Sequence, residues 1–264
     1  MTGPENAWTP VNQVLPAWDL LTGMTAATGV LSAVHRRSMT GEGSRIDLAL
    51  ADVALSAVGS LGWLAEAELA GRGRLRHGNH VYGSFGADFA TADGHRVMVV
   101  ALTEGQWSAL CRVTDTAAVF AALEASLGVD LNTESDRYRL RETIAAILRP
   151  RFASRRFTDA SRELDDARVL WGPYRSMAET AQDARADTSS VAAEIEQPGV
   201  GPMLATSSPL RWDVVDGSPR PAPLLGEDTE AVLSEVLRLT DQEIGRLHEM
   251  HVVALPEASS TGGS

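Results

Sequence analysis

The chain has 264 residues, is 44% apolar and carries a formal net charge of −12, so it can bury one large core or two modest ones. An acidic chain without a concentrated cationic face argues against a nucleic-acid partner. All 23 basic residues are arginine, which excludes chemistry that depends on lysine, such as Schiff bases and P-loop phosphate sites. The lone Cys111 cannot form an internal disulfide, and no apolar run is long enough to span a bilayer. We therefore expect a globular, cytoplasmic α/β protein with no nucleic-acid or membrane partner.

Residues 1–70 predict a helix, a glycine turn, a strand and a second helix. The stretch from Asp19 to Arg37 keeps a helical apolar period, and we expect the Asp19 carboxylate to cap its first turn. Thr-Gly-Glu-Gly at 40–43 predicts the turn, and apolar side chains then alternate from Ser44 to Leu50 as in a half-buried strand. The Ala- and Leu-rich stretch 51–69 predicts a helix that is almost fully buried.

The middle of the chain predicts a loop followed by a mixed region. Residues 71–86 contain five glycines and three arginines, which indicates an ordered loop or a crossing between domains. Residues 87–101 predict a hairpin that turns at Asp93-Gly94. Cys111 falls in the apolar pattern that follows, and we expect it to fill the core rather than act as a nucleophile. Further helices are predicted over 117–127, 135–148 and 158–167, with Pro150 ending the second.

The last third of the chain is polar and rich in proline. Prolines mark residues 198–225 as a long extended connection. A final helix in two pieces is predicted over 228–239 and 241–250, and Thr240 with Glu243 resembles a capping box at the start of the second piece. The tail from 256 to 264 is predicted to be disordered.

Four motifs, in order along the chain, resemble those of the family III CoA-transferases. The first is Arg-Arg-Ser-Met-Thr-Gly-Glu-Gly-Ser-Arg-Ile-Asp at 36–47. The others are Arg-His-Gly-Asn at 76–79, Thr-Ala-Asp-Gly at 91–94 with Trp107, and Pro-Leu-Leu-Gly-Glu-Asp-Thr at 223–229. Residues 10–19 and 82–86 also resemble the branch of mesaconyl-CoA C1–C4 CoA-transferases, also called 2-methylfumaryl-CoA isomerases.

The resemblance implies an α/β fold that corresponds to the later portion of the family fold. It implies an incomplete Rossmann-like large domain plus a smaller mixed α/β domain. The implied boundaries are a large-domain segment at 1–70, a glycine-rich crossing at 71–86, a small domain at 87–197, a proline-rich return linker at 198–225 and a C-terminal helical segment of the large domain at 226–255.

The resemblance also implies the chemistry. An aspartate of the family attacks the thioester of an acyl-CoA and becomes an aspartyl-CoA, which an acceptor carboxylate resolves. This aspartate precedes the stretch with which the present chain begins, in a Tyr-Asp or Phe-Asp context that the 264 residues do not contain. Coenzyme A is thus a substrate, and no cofactor is implied. The implied partners are an acyl-CoA, a carboxylic acid, and either a second copy in an interlocked homodimer or a subunit that supplies the N-terminal part.

The candidate site for substrate and CoA is the segment that ends the crossing. Backbone amides of glycine-rich loops can stabilise developing oxyanions, and Gly83 and Gly86 flank Phe85 in such a loop. Tyr82 and Asn79 complete the predicted set. As a bare pattern, the segment is equally compatible with an ordinary linker between domains.

Asp19 is the candidate catalytic residue of this chain, although it does not match the family nucleophile. It aligns with an aspartate that exchanges the α-proton of the substrate in the racemase branch of the superfamily, while helix capping explains it equally well. Three hypotheses follow: CoA transfer with a nucleophile outside this chain, a noncatalytic subunit or remnant, and a racemase that uses Asp19.

Two other polar motifs are expected to be structural. His77 and His80 have no third ligand nearby in the sequence, so we expect no metal site. Asp47 faces away from the apolar side of the predicted strand, and we expect it to pair with Arg45 or Arg37 or to meet a partner.

Overall fold

The computed structural model describes Thr9, residues 11–12, 14–74 and 76–253, and the chain divides into two compact units between Tyr174 and Arg175. The first unit contains, in order, helices α1 (Ala17–Thr40), α2 (Leu50–Ser60) and α3 (Trp63–Ala70), strands β1 (Phe85–Ala90) and β2 (Arg96–Ala101), helices α4 (Glu104–Val113), α5 (Ala117–Leu127), α6 (Glu134–Arg139), α7 (Arg141–Ala153) and α8 (Phe157–Asp166), and strand β3 (Leu170–Pro173). The mixture of helix and sheet confirms the predicted α/β class. The domain boundaries implied by the family stay a prediction, and the predicted tail at 256–264 lies outside the described residues.

The core of the first unit lies between an antiparallel sheet and helices. The sheet has the order β1-β2-β3. Strand β1 packs on α7 with Phe85, Ala87 and Phe89 buried, and β2 packs on α4 with alternate residues buried. Phe89 of β1 stacks on Phe152 of α7 with ring centroids 4.5 Å apart. Cys111 of α4 is buried, and burial raises the pKa of its thiol to about 12, so the predicted role as a core residue is confirmed.

Helix α1 confirms the first predicted helix but starts earlier. Its N-cap is Pro16, whose carbonyl accepts the amide of Leu20 at 3.1 Å, so Asp19 lies inside the first turn and not at the cap position. The predicted capping role of Asp19 is therefore wrong, because the helix extends back past it. The helix ends at Thr40 and is capped by Gly41, which has φ +75° and donates its amide to the Arg37 carbonyl at 2.8 Å.

The structure has no strand over Ser44 to Leu50, so this prediction is wrong. Residues 42–49 form no regular secondary structure, and Leu50 already belongs to α2. A strand requires a neighbour for its backbone groups, and no strand of the described chain pairs with this segment. Asp47 pairs with Arg45 at 3.0 Å, which confirms one of the roles predicted for it.

The predicted helix over 51–69 is two helices, and it is exposed rather than buried. The chain breaks at Leu61 and Gly62, where Gly62 has φ +75°. Helices α1, α2 and α3 contain no buried residue, because no layer of the described chain covers their apolar faces. No single helix in the described ranges is long and apolar enough to cross a membrane; α2 and α3 would reach that length only together, and they are bent by 70°.

Helix α7 passes through Pro150, so the prediction that this proline ends the helix is wrong. The helix continues to Ala153, and the Pro150 carbonyl accepts the amide of Ser154 at 3.1 Å. Proline in a helix interior loses one backbone hydrogen bond. Burial of Phe152 in the core favours the extra turn over an early end.

The second unit contains more regular structure than the sequence predicts. It has helix α9 (Met177–Ala186), strands β4 (Ala192–Gln197) and β5 (Gly201–Thr206), helix α10 (Thr229–Ala231) with a π-helical turn (Val232–Val236), and helix α11 (Asp241–Glu249). Strand β5 lies in the predicted proline-rich linker and pairs antiparallel with β4. Gly199 in the intervening turn and Gly201 at the start of β5 both have positive φ. Thr240 and Glu243 form the predicted capping box of α11.

Candidate functional site

The predicted CoA-binding residues lie on the turn before β1 and on the first two residues of that strand. Gly83 has φ +81°, so it allows a turn that other residues adopt only under strain. Tyr82, just before it, keeps 47% of its surface exposed. Ser84 is buried, and its hydroxyl donates to the Ala101 carbonyl at 3.0 Å, which fixes the turn to β2.

Phe85 and Gly86 belong to the sheet. The Phe85 side chain is fully buried and meets the Trp107 ring edge-on, with centroids 6.0 Å apart. The Gly86 carbonyl accepts the amide of Val81 at 3.0 Å, and a Cβ added to Gly86 would lie 2.5 Å from a Val81 methyl. These two residues therefore hold the turn in place, and direct contact of either with a substrate stays a prediction.

Asn79 lies at the other end of the turn, beside Asp88 of β1. Burial of the Asp88 carboxyl acts to raise its pKa, but hydrogen bonds from Arg96 and Asn79 outweigh this and hold the pKa below its usual range. The Arg96 Nε donates to Asp88 at 2.7 Å. Asn79 thus anchors the turn to a charged pair on the sheet, and its predicted contact with CoA also stays a prediction.

A cluster of aromatic and charged side chains surrounds Tyr82. We call it the Arg74 cluster; it consists of Trp63, Glu66, Arg74, His77, Tyr82 and Tyr138. The Arg74 guanidinium carbon lies 3.6 Å from the centre of the Tyr82 ring and 5.0 Å from that of Trp63. The Tyr82 and Tyr138 rings meet edge-on at 5.2 Å. The cluster thus joins α3, the turn and α6 around one cation.

The charge of Arg74 is balanced within the cluster. Its Nε donates to Glu66 at 2.6 Å, and its Nη2 forms an ion pair with the same carboxylate. The hydrogen bond from Arg74 holds the pKa of Glu66 below its usual range. Burial raises the pKa of Tyr138, whose hydroxyl lies 3.3 Å from the ring nitrogens of His77.

Arg137 positions the Tyr138 end of the cluster. Its side chain is fully buried and donates to the Leu131 carbonyl at 2.8 Å and to the Leu102 carbonyl at 2.5 Å. These bonds tie α6 to the segment that leaves β2, and burial lowers the pKa of the guanidinium. The next residue, Tyr138, is thereby held beside His77.

Most of this cluster escaped the sequence analysis. Glu66 was a charged residue on an apolar helix, and Trp63 and Tyr138 carried no motif. The density of arginine and histidine at 72–80 indicated a polar site. Its partners could not be identified, because Tyr138 lies about sixty positions further along the chain. Asp19, the candidate catalytic residue, is exposed in the first turn of α1.

The described residues contain no group of three His, Cys, Asp or Glu side chains that could hold a metal ion. His80 instead pairs with Glu142 of α7, with Nε2 and Oε1 2.6 Å apart. What the site offers is an exposed phenol on a rigid glycine turn, a balanced guanidinium behind it, and a hydroxyl–imidazole contact beside it. Such groups can bind and orient a polar ligand.

Comparison with known proteins identifies relatives across most of the chain. The profile of CoA-transferase family III matches residues 1–229. The chain is 46% identical over 263 residues to the 2-methylfumaryl-CoA isomerase of Chloroflexus aurantiacus, a match that covers 98% of this chain and 64% of the relative. It is 31% identical to the succinyl-CoA:mesaconate CoA-transferase of Haloarcula marismortui, covering 82% of this chain and 52% of the relative.

Solved structures show the same fold. A CaiB/BaiF family protein from Brucella suis superposes with a TM-score of 0.64 at 22% identity, and the match covers 89% of this chain and 59% of that one. The present chain therefore spans less than two thirds of the length of these relatives. The resemblance of the four motifs and the expected fold are confirmed, and the chain belongs to CoA-transferase family III.

Proposed function

We propose that this chain is part of a CoA-transferase that moves CoA between the carboxylates of a small unsaturated diacid, within one mesaconyl-CoA molecule. The observation that carries the proposal is the 46% identity to a 2-methylfumaryl-CoA isomerase over 98% of the chain. Coenzyme A takes part as a substrate, and no other cofactor is needed.

The reaction proceeds through an aspartyl-CoA. The aspartate carboxylate attacks the thioester carbonyl and the C–S bond breaks. CoA thiolate departs, and a mixed anhydride of the aspartate and the substrate acyl group is formed. The thiolate then attacks the aspartyl carbonyl and releases the substrate carboxylate. The other carboxylate of the diacid then attacks the aspartyl thioester, expels CoA thiolate and forms a second mixed anhydride. The thiolate attacks the substrate carbonyl of this anhydride and releases the aspartate carboxylate, which completes the exchange. The aspartate comes from residues outside these 264, on the same or another polypeptide.

The role of the present residues is to bind and orient the acyl-CoA. Asn79, Tyr82, Gly83, Phe85 and Gly86 form or support the turn that meets it. The exposure of Tyr82 and the rigid anchoring of Ser84 support this assignment. The large domain includes residues 1–70 and 226–255, and the small domain includes residues 87–197. The functional assembly is a homodimer or a complex with a subunit that supplies the remaining part of the family fold.

The test is an assay of the purified chain with 2-methylfumaryl-CoA. Chromatography that resolves the C1 and C4 thioesters measures the exchange, and hydroxylamine traps an aspartyl thioester. We expect acyl-CoA binding by the chain alone, and exchange with a trapped adduct only when the rest of the family sequence is supplied. Absence of exchange in the completed protein would overturn the proposal.

A noncatalytic subunit or remnant is the second candidate, because α1 to α3 contain no buried residue and no described strand pairs with residues 42–49. It predicts acyl-CoA binding without exchange even after completion. The racemase alternative predicts exchange of the substrate α-proton in deuterated water and its loss in Asp19→Asn, and the same samples can report it.

A further inference from the structure

Arg74 places a charged guanidinium in a mostly buried position. Its side chain is only 9% exposed, and its Nη1 is buried with no hydrogen-bond acceptor among the described residues. Burying a charge with an unsatisfied N–H is unfavourable, and an apolar side chain of similar volume often serves packing as well or better. The hydrogen bond to Glu66 raises the pKa of the guanidinium and keeps Arg74 charged, while Nη1 stays unsatisfied. The position therefore holds a fixed cation, and the contacts of that cation indicate its role.

The geometry around Arg74 indicates what it holds. Glu66 of α3 fixes one edge of the guanidinium through Nε and Nη2, and the Tyr82 ring lies against its face at 3.6 Å. Tyr138 limits the same ring from another side, 5.2 Å away. Tyr82 itself sits on a glycine turn and is half exposed, so its orientation depends on these neighbours.

We infer that Arg74 is a positioning residue: it holds the Tyr82 ring in the orientation in which the turn meets an acyl-CoA. A planar guanidinium fixed at one edge and stacked on an aromatic face is well suited to this, since it loses little freedom for each contact. A preformed turn avoids the ordering cost that a free phenol would incur on binding. The inference rests on the proposed function for the ligand and on the structure for the contact.

The chain contains three tyrosines, Tyr82, Tyr138 and Tyr174, so 3-fluorotyrosine labelling yields three ¹⁹F signals, which Tyr→Phe variants assign. Tyr174 lies outside the Arg74 cluster and reports the fold. In the ligand-free chain, Arg74→Gln should shift and broaden the Tyr82 signal and leave that of Tyr174 in place. Arg72→Gln is the matched control, because Arg72 is an exposed arginine of the same crossing.

Titration with 2-methylfumaryl-CoA then tests the consequence for binding. We expect it to shift the Tyr82 signal, with an affinity about tenfold weaker in Arg74→Gln and restored in part by Arg74→Lys. Equal affinities in Arg74→Gln and Arg72→Gln would overturn the inference, as would an unchanged Tyr82 signal in ligand-free Arg74→Gln.

If Arg74→Gln also displaced the Tyr174 signal, Arg74→Met, which keeps the length of the side chain and removes only the guanidinium, would replace it, with the same criteria. A parent chain in which acyl-CoA shifts none of the three signals would overturn ligand binding by this segment, and with it the proposed function of the turn. The ligand-free spectra would still decide whether Arg74 holds Tyr82.

Discussion

Gly86 shows how a single backbone position supports the candidate site. A Cβ at this residue would lie 2.5 and 2.9 Å from atoms of Val81 and 3.3 Å from Val100. Val81 is branched at Cβ, so it cannot turn away cheaply. The close approach of Val81 to the strand fixes the start of the turn that carries Tyr82.

We therefore predict that Gly86→Ala destabilises the first unit by about 1–3 kcal/mol, the usual cost of overpacking a close contact. Urea unfolding followed by circular dichroism measures the change. Gly172→Ala in β3 is the control, since an added Cβ there meets nothing within 4 Å. Equal stability of the two variants would show that Val81 yields without cost.

Residue-scale chemistry could be anticipated only where partners are near in sequence. The pairing of Asp47 with Arg45 and the caps at Gly41 and Thr240 follow from residues within a few positions of each other. Arg74 lies in the loop after α3, and the Tyr82 ring against its guanidinium also meets Tyr138 of α6, far along the chain. The role of Arg74 could therefore not be found before packing was known.

At the scale of elements, the Thr-Ala-Asp-Gly motif connects the hairpin turn to helix α8. The Thr91 hydroxyl donates to Asp93 Oδ1 at 2.7 Å, and the Phe157 amide donates to the same oxygen at 3.0 Å. Asp93 therefore satisfies a free amide at the start of α8 from a distant turn. The Thr91 hydrogen bond holds the pKa of the Asp93 carboxyl below its ordinary value of 3.8.

We predict that Asp93→Ala lowers the melting temperature and increases hydrogen exchange of the Phe157 amide at neutral pH. Because the folded-state pKa is depressed, the contribution of Asp93 is complete above pH 3.8 and is lost as the pH falls through the folded value. The difference between variant and parent should therefore shrink in that acidic range. Asp159→Ala removes a carboxylate from the same helix end and serves as the control; an equal effect of both variants would contradict a specific cap.

Helix periods and turns were predicted well at this scale, and breaks were not. Helix α5 has the predicted bounds, and the hairpin of β1 and β2 turns where Asp93-Gly94 indicates. The break at Gly62, the continuation of α7 through Pro150 and the pairing of β4 with β5 depend on what each segment packs against or pairs with. Local propensity is a weak guide to such choices.

At the scale of the molecule, the first seventy residues leave much apolar surface uncovered. On α1 alone, Met24, Leu31 and Val34 are each more than half exposed. Each Å² of apolar surface left in water costs about 25 cal/mol, and the backbone of 42–49 has no strand beside it. These features favour association with another polypeptide.

We predict that the isolated chain self-associates as its concentration rises, measured by sedimentation velocity, and that Leu31→Glu or Val34→Glu reduces this association. Both variants should keep the far-ultraviolet circular dichroism of the parent, because α1 contains no buried residue. Leu127→Glu is the control, an exposed leucine at the end of α5. If the α1 variants associate as strongly as the parent, or if Leu127→Glu weakens association equally, the self-association does not depend on α1.

The sequence by itself determined the α/β class, the family, the helices with clear periods and the capping box of Thr240 and Glu243, because periodicity and this cap are encoded in short windows of residues. Only the tertiary structure decided that 42–49 lacks a strand partner, that α2 and α3 are separate and exposed, and that Tyr138 of α6 meets the Tyr82 ring beside Arg74. These features depend on which surfaces meet, and surfaces distant in sequence are brought together by packing rather than by any local pattern.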